Sequence, residues 1–261
     1  MYDLSVCVPS IRKENWKRLY DSIVESIGDH TFELILCGPY SDLTDYLESK
    51  KNVVLIEDYG SPTRAQQIAA SRAQGKYVTW GADDGWYIPG KLDKCMSILK
   101  KWNVDNPILA THYVEGNELA LRNYYMNFHE PIRSPYYPNN FLIINLGITT
   151  LDFYKETGGL DCEFEVTAMA HADWGARAQL NGGKAYLLEE VVFECEQLVG
   201  AIGDHVPVHN TQLEHDQPLY ASIWRSPACL ERKVKFDNWK DTPAVWQRRF
   251  EESSEEIKRL F

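Results

Sequence analysis

No two cysteines in this 261-residue chain are spaced C-x-x-C, and none of the six (Cys7, Cys37, Cys95, Cys162, Cys195, Cys229) clusters with histidine. Neither a zinc site nor a disulfide frame is expected; reduced thiols are. No apolar run approaches the roughly 18 residues that a membrane span needs. The chain opens directly into strand-like residues, with no basic-then-apolar leader. A cytoplasmic protein without an integral membrane segment is therefore expected. Basic residues are outnumbered, 27 Lys and Arg against 38 Asp and Glu, for a formal charge of −11. That balance argues against a nucleic-acid partner, although local basic groups or a metal can still hold a small anion. There is no internal repeat and no low-complexity linker.

What the chain does have is strands alternating with helices. "LSVCV" (4–8), "FELILC" (32–37), "NVVLIE" (52–57) and "YVTWG" (77–81) read as strands. Trp16, Leu19, Tyr20, Ile23, Val24 and Ile27 recur at helical spacing after the first, and a short polar helix fits 42–49. In "GSPTRAQQIAASRAQGKY", Ser61 is the expected N-cap, Pro62 the first helical residue and Gly75 the stop. Apolar strands without polar alternation predict a mainly parallel α/β sheet with helices on both faces. Ligands gather at the carboxyl ends of such strands, where Ser10, Gly38, Glu57, Asp58 and the Asp83-Asp84 pair fall.

Three stretches are expected: 1–110, 111–215 as a further part of the same domain, and 216–261 as a helical tail. Residues 112–140, rich in Tyr, Asn and Pro, read as a long functional loop. "FLIINLGI" (141–148) reads as a strand, "TLDFYKETGG" and "AMAHADWGARAQLNGG" as helices with glycine stops, and "KAYLLEEVVFECE" as a long strand. The tail, with "WQRRF" and "IKRLF", is expected to form a solvated surface helix, peripheral membrane contact being its other use.

Adjacent carboxylates repel, so Asp83-Asp84 either forms a turn in water or faces a cation. Magnesium or manganese takes one or two carboxylates from a protein while phosphates and water complete its shell.

The segments "SVCVPS", "FELILCG", "VVLIEDYGSPTRAQQIAASRAQGKYVTWGADDGWYIPGKL", "NLGITTLDFYKETGGLDCEFE" and "HADWGARAQLNGG" occur in this order, and over residues 3–195 the chain resembles the GT-A glycosyltransferases of the large inverting family 2. Ala73, Gly75, Tyr77, Asp83, Asp84, Trp86, Pro89, Lys91 and Leu92 carry that family's "A-x-G-x-Y", D-x-D-type and "W-x-x-P-x-K-L" pattern. The resemblance implies a GT-A (Rossmann-like) fold and a nucleoside diphosphate sugar donor, a UDP-sugar being favoured. It also implies bound Mn2+ or Mg2+ and transfer to a hydroxyl of a glycan or small acceptor. By position, Pro9 and Ser10 would line the nucleotide pocket and Glu57 or Asp58 would contact base or ribose. Arg64 would meet phosphate, and Asp83 and Asp84 ribose and metal. The chain departs from the family at Cys37-Gly38-Pro39, where aspartates are usual, at Gly81, where a first acid is usual, and at Ala65-Gln66-Gln67, where Ala-Arg-Asn is.

Inverting transfer needs a base for the acceptor hydroxyl. Gly158, Gly159, Leu160, Asp161 and Phe164 match the family's "G-G-F-D-E-x-F" segment. Counting back from Arg177 and Gly182 puts Asp173 on the second acid of its "E-D-x-D-L-x-x-R" motif and His171 on the usual base. Asp173 is preferred as a carboxylate, with His171 as the alternative. His205 or His209 would complete the metal shell if residues 205–215 are more than a polar surface loop. Trp86, Tyr113, Tyr124, Tyr125, Tyr136 and Tyr137 are candidates for stacking on sugar faces.

Two other functions fit less well. A sugar-phosphate nucleotidyltransferase would want a glycine-rich basic loop after the first strand, where "PSIRKENW" offers Arg12 and Lys13 but no glycine. A non-catalytic nucleotide- or glycan-binding protein on a degenerate scaffold is the third.

Overall fold

Runs such as "LSVCV" and "FELILC" need cover on both faces, and the computed structural model, which describes residues 2–116, 123–125, 141–196 and 203–250, buries them. β1 (Leu4–Pro9), β2 (Phe32–Gly38), β3 (Val53–Glu57) and β4 (Tyr77–Trp80) lie side by side in the order β3-β2-β1-β4, all parallel. They are joined by α1 (Trp16–Ile27), α2 (Asp45–Glu48) and α3 (Pro62–Arg72). α3 begins as its residues dictate: the Arg64 amide donates to Ser61 Oγ at 3.3 Å, and Pro62 holds the first position. It ends at Arg72, ahead of the expected stop at Gly75.

Beyond β4 the sheet becomes mixed. β5 (Gly85–Tyr87), α4 (Lys91–Lys101), β6 (Pro107–Glu115), β7 (Asn123–Tyr125), β8 (Gly147–Thr150), α5 (Leu151–Glu156), α6 (Thr167–Leu180) and β9 (Lys184–Cys195) follow in sequence. The sheet continues β4-β8-β6-β9-β5, with β7 on β6. β6 and β9 run parallel, whereas β4/β8, β8/β6, β6/β7 and β9/β5 are antiparallel.

Three expectations need correction. The strand expected at 141–148 forms only at Gly147–Thr150. Leu142 lies outside it because Gln179 satisfies its backbone, accepting from its amide at 3.0 Å and donating to its carbonyl at 2.8 Å. Within the stretch expected as a loop from 112, the residues up to Glu115 belong to β6 and Asn123–Tyr125 to β7. Residues 205–215 are not a loop: α7 (Val206–Thr211) passes through a wider turn at Gln212–Asp216 into α8 (Gln217–Trp224). A final short helix, α9 (Gln247–Phe250), returns to the core through a bridge between Tyr59 and Val245. The "EESSEEIKRLF" segment lies outside the described residues. All six cysteines are free and buried. Among the described residues no helix is long and apolar enough to cross a membrane.

Candidate active site

The carboxyl ends of β1, β2 and β4 converge on one cleft of about 140 Å³, walled by Pro9, Ser10, Gly38, Asp58 and Asp83. Gly38 permits this closeness, since a Cβ there would stand 1.7 Å from the Ser10 carbonyl oxygen. The loop after β1 is shaped by Asp83. Its Oδ2 accepts from Ser10 Oγ (3.0 Å) and from the amides of Ile11 and Arg12 (2.6 Å each), and its Oδ1 accepts from the Arg12 guanidinium at 2.6 Å. Ser10 Oγ also accepts from Trp16 Nε1 at 2.5 Å.

Asp83 is therefore not the metal ligand the sequence offered, because both its oxygens are taken by protein donors. It is a brace that presets the loop after β1. Asp83→Asn removes the charge facing the half-buried Arg12, and we expect a loss of about 2–4 kcal/mol in urea unfolding together with weaker binding of the proposed nucleotide donor. An unchanged urea midpoint would remove the bracing role.

Asp84 has the contrasting environment. It is buried, and among the described residues its carboxylate takes a hydrogen bond only from its own amide. Burial pushes its pKa up to about 6; Arg12 pulls it down and Asp83 pushes it further up. His205 Nε2 stands 3.6 Å from Asp84 Oδ2. Burial lowers the His205 pKa, helped by Arg12 and opposed by Asp204, so its imidazole is neutral near pH 7. Arg12 joins the group from β1: its guanidinium pairs with Asp83 at 2.6 Å and Asp204 at 2.9 Å, and lies 3.1 Å from His205 Nδ1. Burial works against the Arg12 charge, but Asp83, Asp84 and Asp204 outweigh it and hold its pKa above the ordinary value.

Asp84 and His205 also wall a second cleft of about 290 Å³, lined by Trp80, Tyr113, Asn145, His171 and His209. The carboxylate and imidazole thus sit where the smaller cleft meets the larger one. His209 lines the larger cleft but makes no ion pair with a described carboxylate.

His171 and Asp173, two residues apart on α6, have opposite fates because that spacing turns a helix by about 200°. His171 faces the larger cleft, stacked on Trp80 with ring centroids 4.8 Å apart, and the Gln66 amide lies 2.9–3.1 Å from its Nε2. Burial lowers its pKa to about 3. Asp173 is fully buried away from both clefts. It accepts from Arg177 Nε at 2.7 Å and from Trp224 Nε1 at 3.1 Å, with Arg232 Nε at 3.4 Å. Arg177 in turn donates to the carbonyls of Thr157 (2.5 Å) and Gly159 (2.6 Å). Asp173 therefore holds the turn before α6, and the preference for it as the base is corrected: no acceptor hydroxyl reaches a carboxylate so enclosed.

Other sequence candidates fall on both sides. Pro9, Ser10 and Asp58 line the smaller cleft. Asp58 is already engaged by Arg64 at 3.1 Å and by the Gly60 amide at 2.9 Å. Arg64 also binds the backbone of Trp239 and Thr242, so it is a tether for the tail rather than a phosphate ligand. Glu57 is exposed, accepts from Tyr59, and does not line the cleft. Tyr113 lines the larger cleft; Trp86 instead lies under Arg18, with its ring 4.9 Å from the guanidinium carbon. Tyr124 and Tyr125 belong to β7, and Tyr136 and Tyr137 lie outside the described residues. Sequence alone does not point to Gln66 beside His171, nor to Arg249 and Phe250, which reach the smaller cleft from α9. Nor does it point to Asp216, whose carboxylate accepts from the Glu165 and Val166 amides just before α6.

The residues fit a divalent cation. Two ligand atoms at about 2.1 Å from one ion are roughly 3 Å apart at right angles, so a 3.6 Å carboxylate–imidazole pair needs little adjustment. Among the described residues no cluster of three or more metal-ligating side chains occurs, so a cation here would draw the rest of its shell from phosphate and water.

No protein-family model matches the sequence, nor does any curated protein sequence. Solved structures of S. aureus TarS do match in fold. The fragment 1–349 aligns at 16% identity over 74% of this chain and 60% of that one, with a TM-score of 0.59. Its UDP complex gives 16% identity over 75% and 60%, with a TM-score of 0.58. Its UDP-GlcNAc complex gives 15% identity over 76% and 59%, with a TM-score of 0.54. The chain thus spans about 60% of that fragment, and the likeness establishes the GT-A fold.

Proposed function

We propose that the chain is a metal-dependent inverting glycosyltransferase that moves one sugar from a nucleoside diphosphate sugar, a UDP-sugar first, to a hydroxyl of a glycan or small acceptor. The observation that carries this reading is the Asp84–His205 pair at the junction of the two clefts. The fold neighbour was crystallised with UDP and with UDP-GlcNAc, which supports placing the nucleotide in the cleft at the ends of β1 and β2. Asp84 and His205 would hold Mn2+ or Mg2+. A cation there stabilises the charge that grows on a departing diphosphate.

In this arrangement residues 1–110 bind the donor and residues 111–215 supply the acceptor side and the base. His171 is the base. The acceptor oxygen attacks the anomeric carbon, the bond from that carbon to the diphosphate oxygen breaks, and the hydroxyl proton passes to the neutral imidazole. An anionic diphosphate nearby raises the proton affinity of that imidazole above its value in the empty cleft. Gln66 fixes the ring through Nε2, which leaves Nδ1, without a described partner, for the proton.

A panel of UDP-, GDP- and dTDP-sugars, each with manganese, magnesium or chelator, tests the reading. One donor should raise the melting temperature only with metal and slowly release its nucleoside diphosphate. No response to any donor would overturn it in favour of a non-catalytic scaffold. Pyrophosphate release from a nucleoside triphosphate and a sugar phosphate would overturn it in favour of nucleotidyl transfer.

A further inference from the structure

The nucleotide cleft has a wall that lies outside the sheet. Trp246, Arg249 and Phe250 form it, and they are held in place rather than draped. The Trp246 amide donates to the Tyr59 carbonyl at 2.8 Å and its Nε1 to Glu165 at 2.6 Å, while Arg248 Nε donates to Glu165 at 2.9 Å. Phe250 packs edge-on against Tyr59, 5.8 Å between centroids.

Charge within the cleft is unevenly settled. Asp83 is neutralised by Arg12, and Asp58 by Arg64 behind the wall. Two charged groups that line the cleft are left without an opposite charge in ion-pair contact among the described residues: Asp84, apart from the neutral His205, and Arg249. Arg249 Nη2 donates to the Asp204 carbonyl at 2.7 Å, and its guanidinium carbon lies 5.6 Å from the Trp246 ring centre. A guanidinium has five N–H donors, so most of its capacity has no acceptor among the described residues. Burial lowers its pKa, with Asp204 opposing and Arg12 adding to the effect. Holding a half-buried, under-bonded cation in a preset position costs stability, and an anion entering the cleft would offset that cost.

We propose that Arg249 is a donor-binding residue whose guanidinium holds the diphosphate of the nucleotide sugar from the tail side of the cleft. The inference rests on the reading of this cleft as a nucleotide-sugar site and adds a ligand that comes from beyond the sheet. Charge-assisted pairing of a planar guanidinium with phosphate oxygens is the interaction for which arginine is best shaped. Seating of the tail and donor affinity are then one event, because the ligand Arg249 lies on the short helix α9 that begins directly after the anchor Trp246.

Binding of UDP, GDP and dTDP, each against its own nucleoside, to the wild type, Arg249→Lys and Arg249→Met in the presence of manganese tests this by ligand-observed NMR. The wild-type arm tests the nucleotide-site reading, and binding of no diphosphate there sinks both. Given wild-type binding, Arg249→Met should weaken the diphosphate tenfold or more and leave the nucleoside within twofold, with Arg249→Lys between. Unchanged diphosphate affinity in a folded Arg249→Met variant overturns the proposal. So does an equal loss for nucleoside and diphosphate, which would make Arg249 only a brace for the tail.

Discussion

Asp84→Asn is expected to lower kcat by at least about 10³-fold while the protein stays folded and its melting temperature in chelator does not fall. The variant keeps the shape of the side chain and removes its charge. In the empty protein that charge is a liability: Asp84 is buried beside Asp83, and its pKa is pushed up to about 6 from the ordinary 3.8. A buried acid with a raised pKa destabilises its ionised fold, so neutralising it is not expected to weaken folding. The same charge next to His205 is what a divalent cation needs. Manganese should therefore stabilise the wild type with donor present and fail to stabilise Asp84→Asn. Asp83→Asn, one residue away, should show the reverse, with lost stability and retained metal response. Full turnover by Asp84→Asn, or a wild type indifferent to chelator, would end the metal assignment.

The contrast between these neighbours shows how far the sequence reached. The order of β1 to β4, the N-cap of α3 and the placing of Asp83-Asp84 at a strand end follow from local patterning, because apolar runs, turn residues and capping residues act over a few positions. The difference between Asp83 and Asp84 does not. It is set by which carboxylate meets the amides of Ile11 and Arg12, more than 70 residues away in the chain, and no spacing rule contains that. β5 was missed for the same reason, since three residues become a strand only by pairing with the far end of β9. His205 was legible as a metal-ligating type, but its reach to Asp84 depends on how the chain returns after β9. Arg12 was noticed only for a triphosphate grip, and its use against Asp83 and Asp204 required the fold. Arg249 lies near no motif; its only sequence signal was a basic residue among aromatics in "WQRRF".

His171 and Asp173 carry the second large pair of effects. Motif counting placed His171 at the position of the base, and the chemical preference for a carboxylate drew the choice to Asp173. Both are buried, but His171 lines the larger cleft and Asp173 does not. His171→Ala should lower kcat by roughly 10²–10⁴-fold with the donor KM little changed, since the imidazole faces the larger cleft rather than the nucleotide. Asp173→Asn should instead unfold readily, losing about 3–5 kcal/mol, because it strands Arg177 beneath the Gly158-Gly159 turn, where both glycines have positive φ. Whatever fraction stays folded should turn over at close to the wild-type rate per molecule. The acid limb of stability distinguishes them again. His171 has a folded pKa of about 3 against an ordinary 6.5, so below pH 6.5 the unfolded chain takes up a proton that the fold refuses. Stability is fully present above pH 6.5 and declines as pH falls towards 3, by about 2 kcal/mol at pH 5. His171→Gln should flatten that decline in urea unfolding measured from pH 7 to 5. A catalytic loss in Asp173→Asn at full stability, with His171→Ala fully active, would return the base to the carboxylate and require α6 to turn its other face to the cleft.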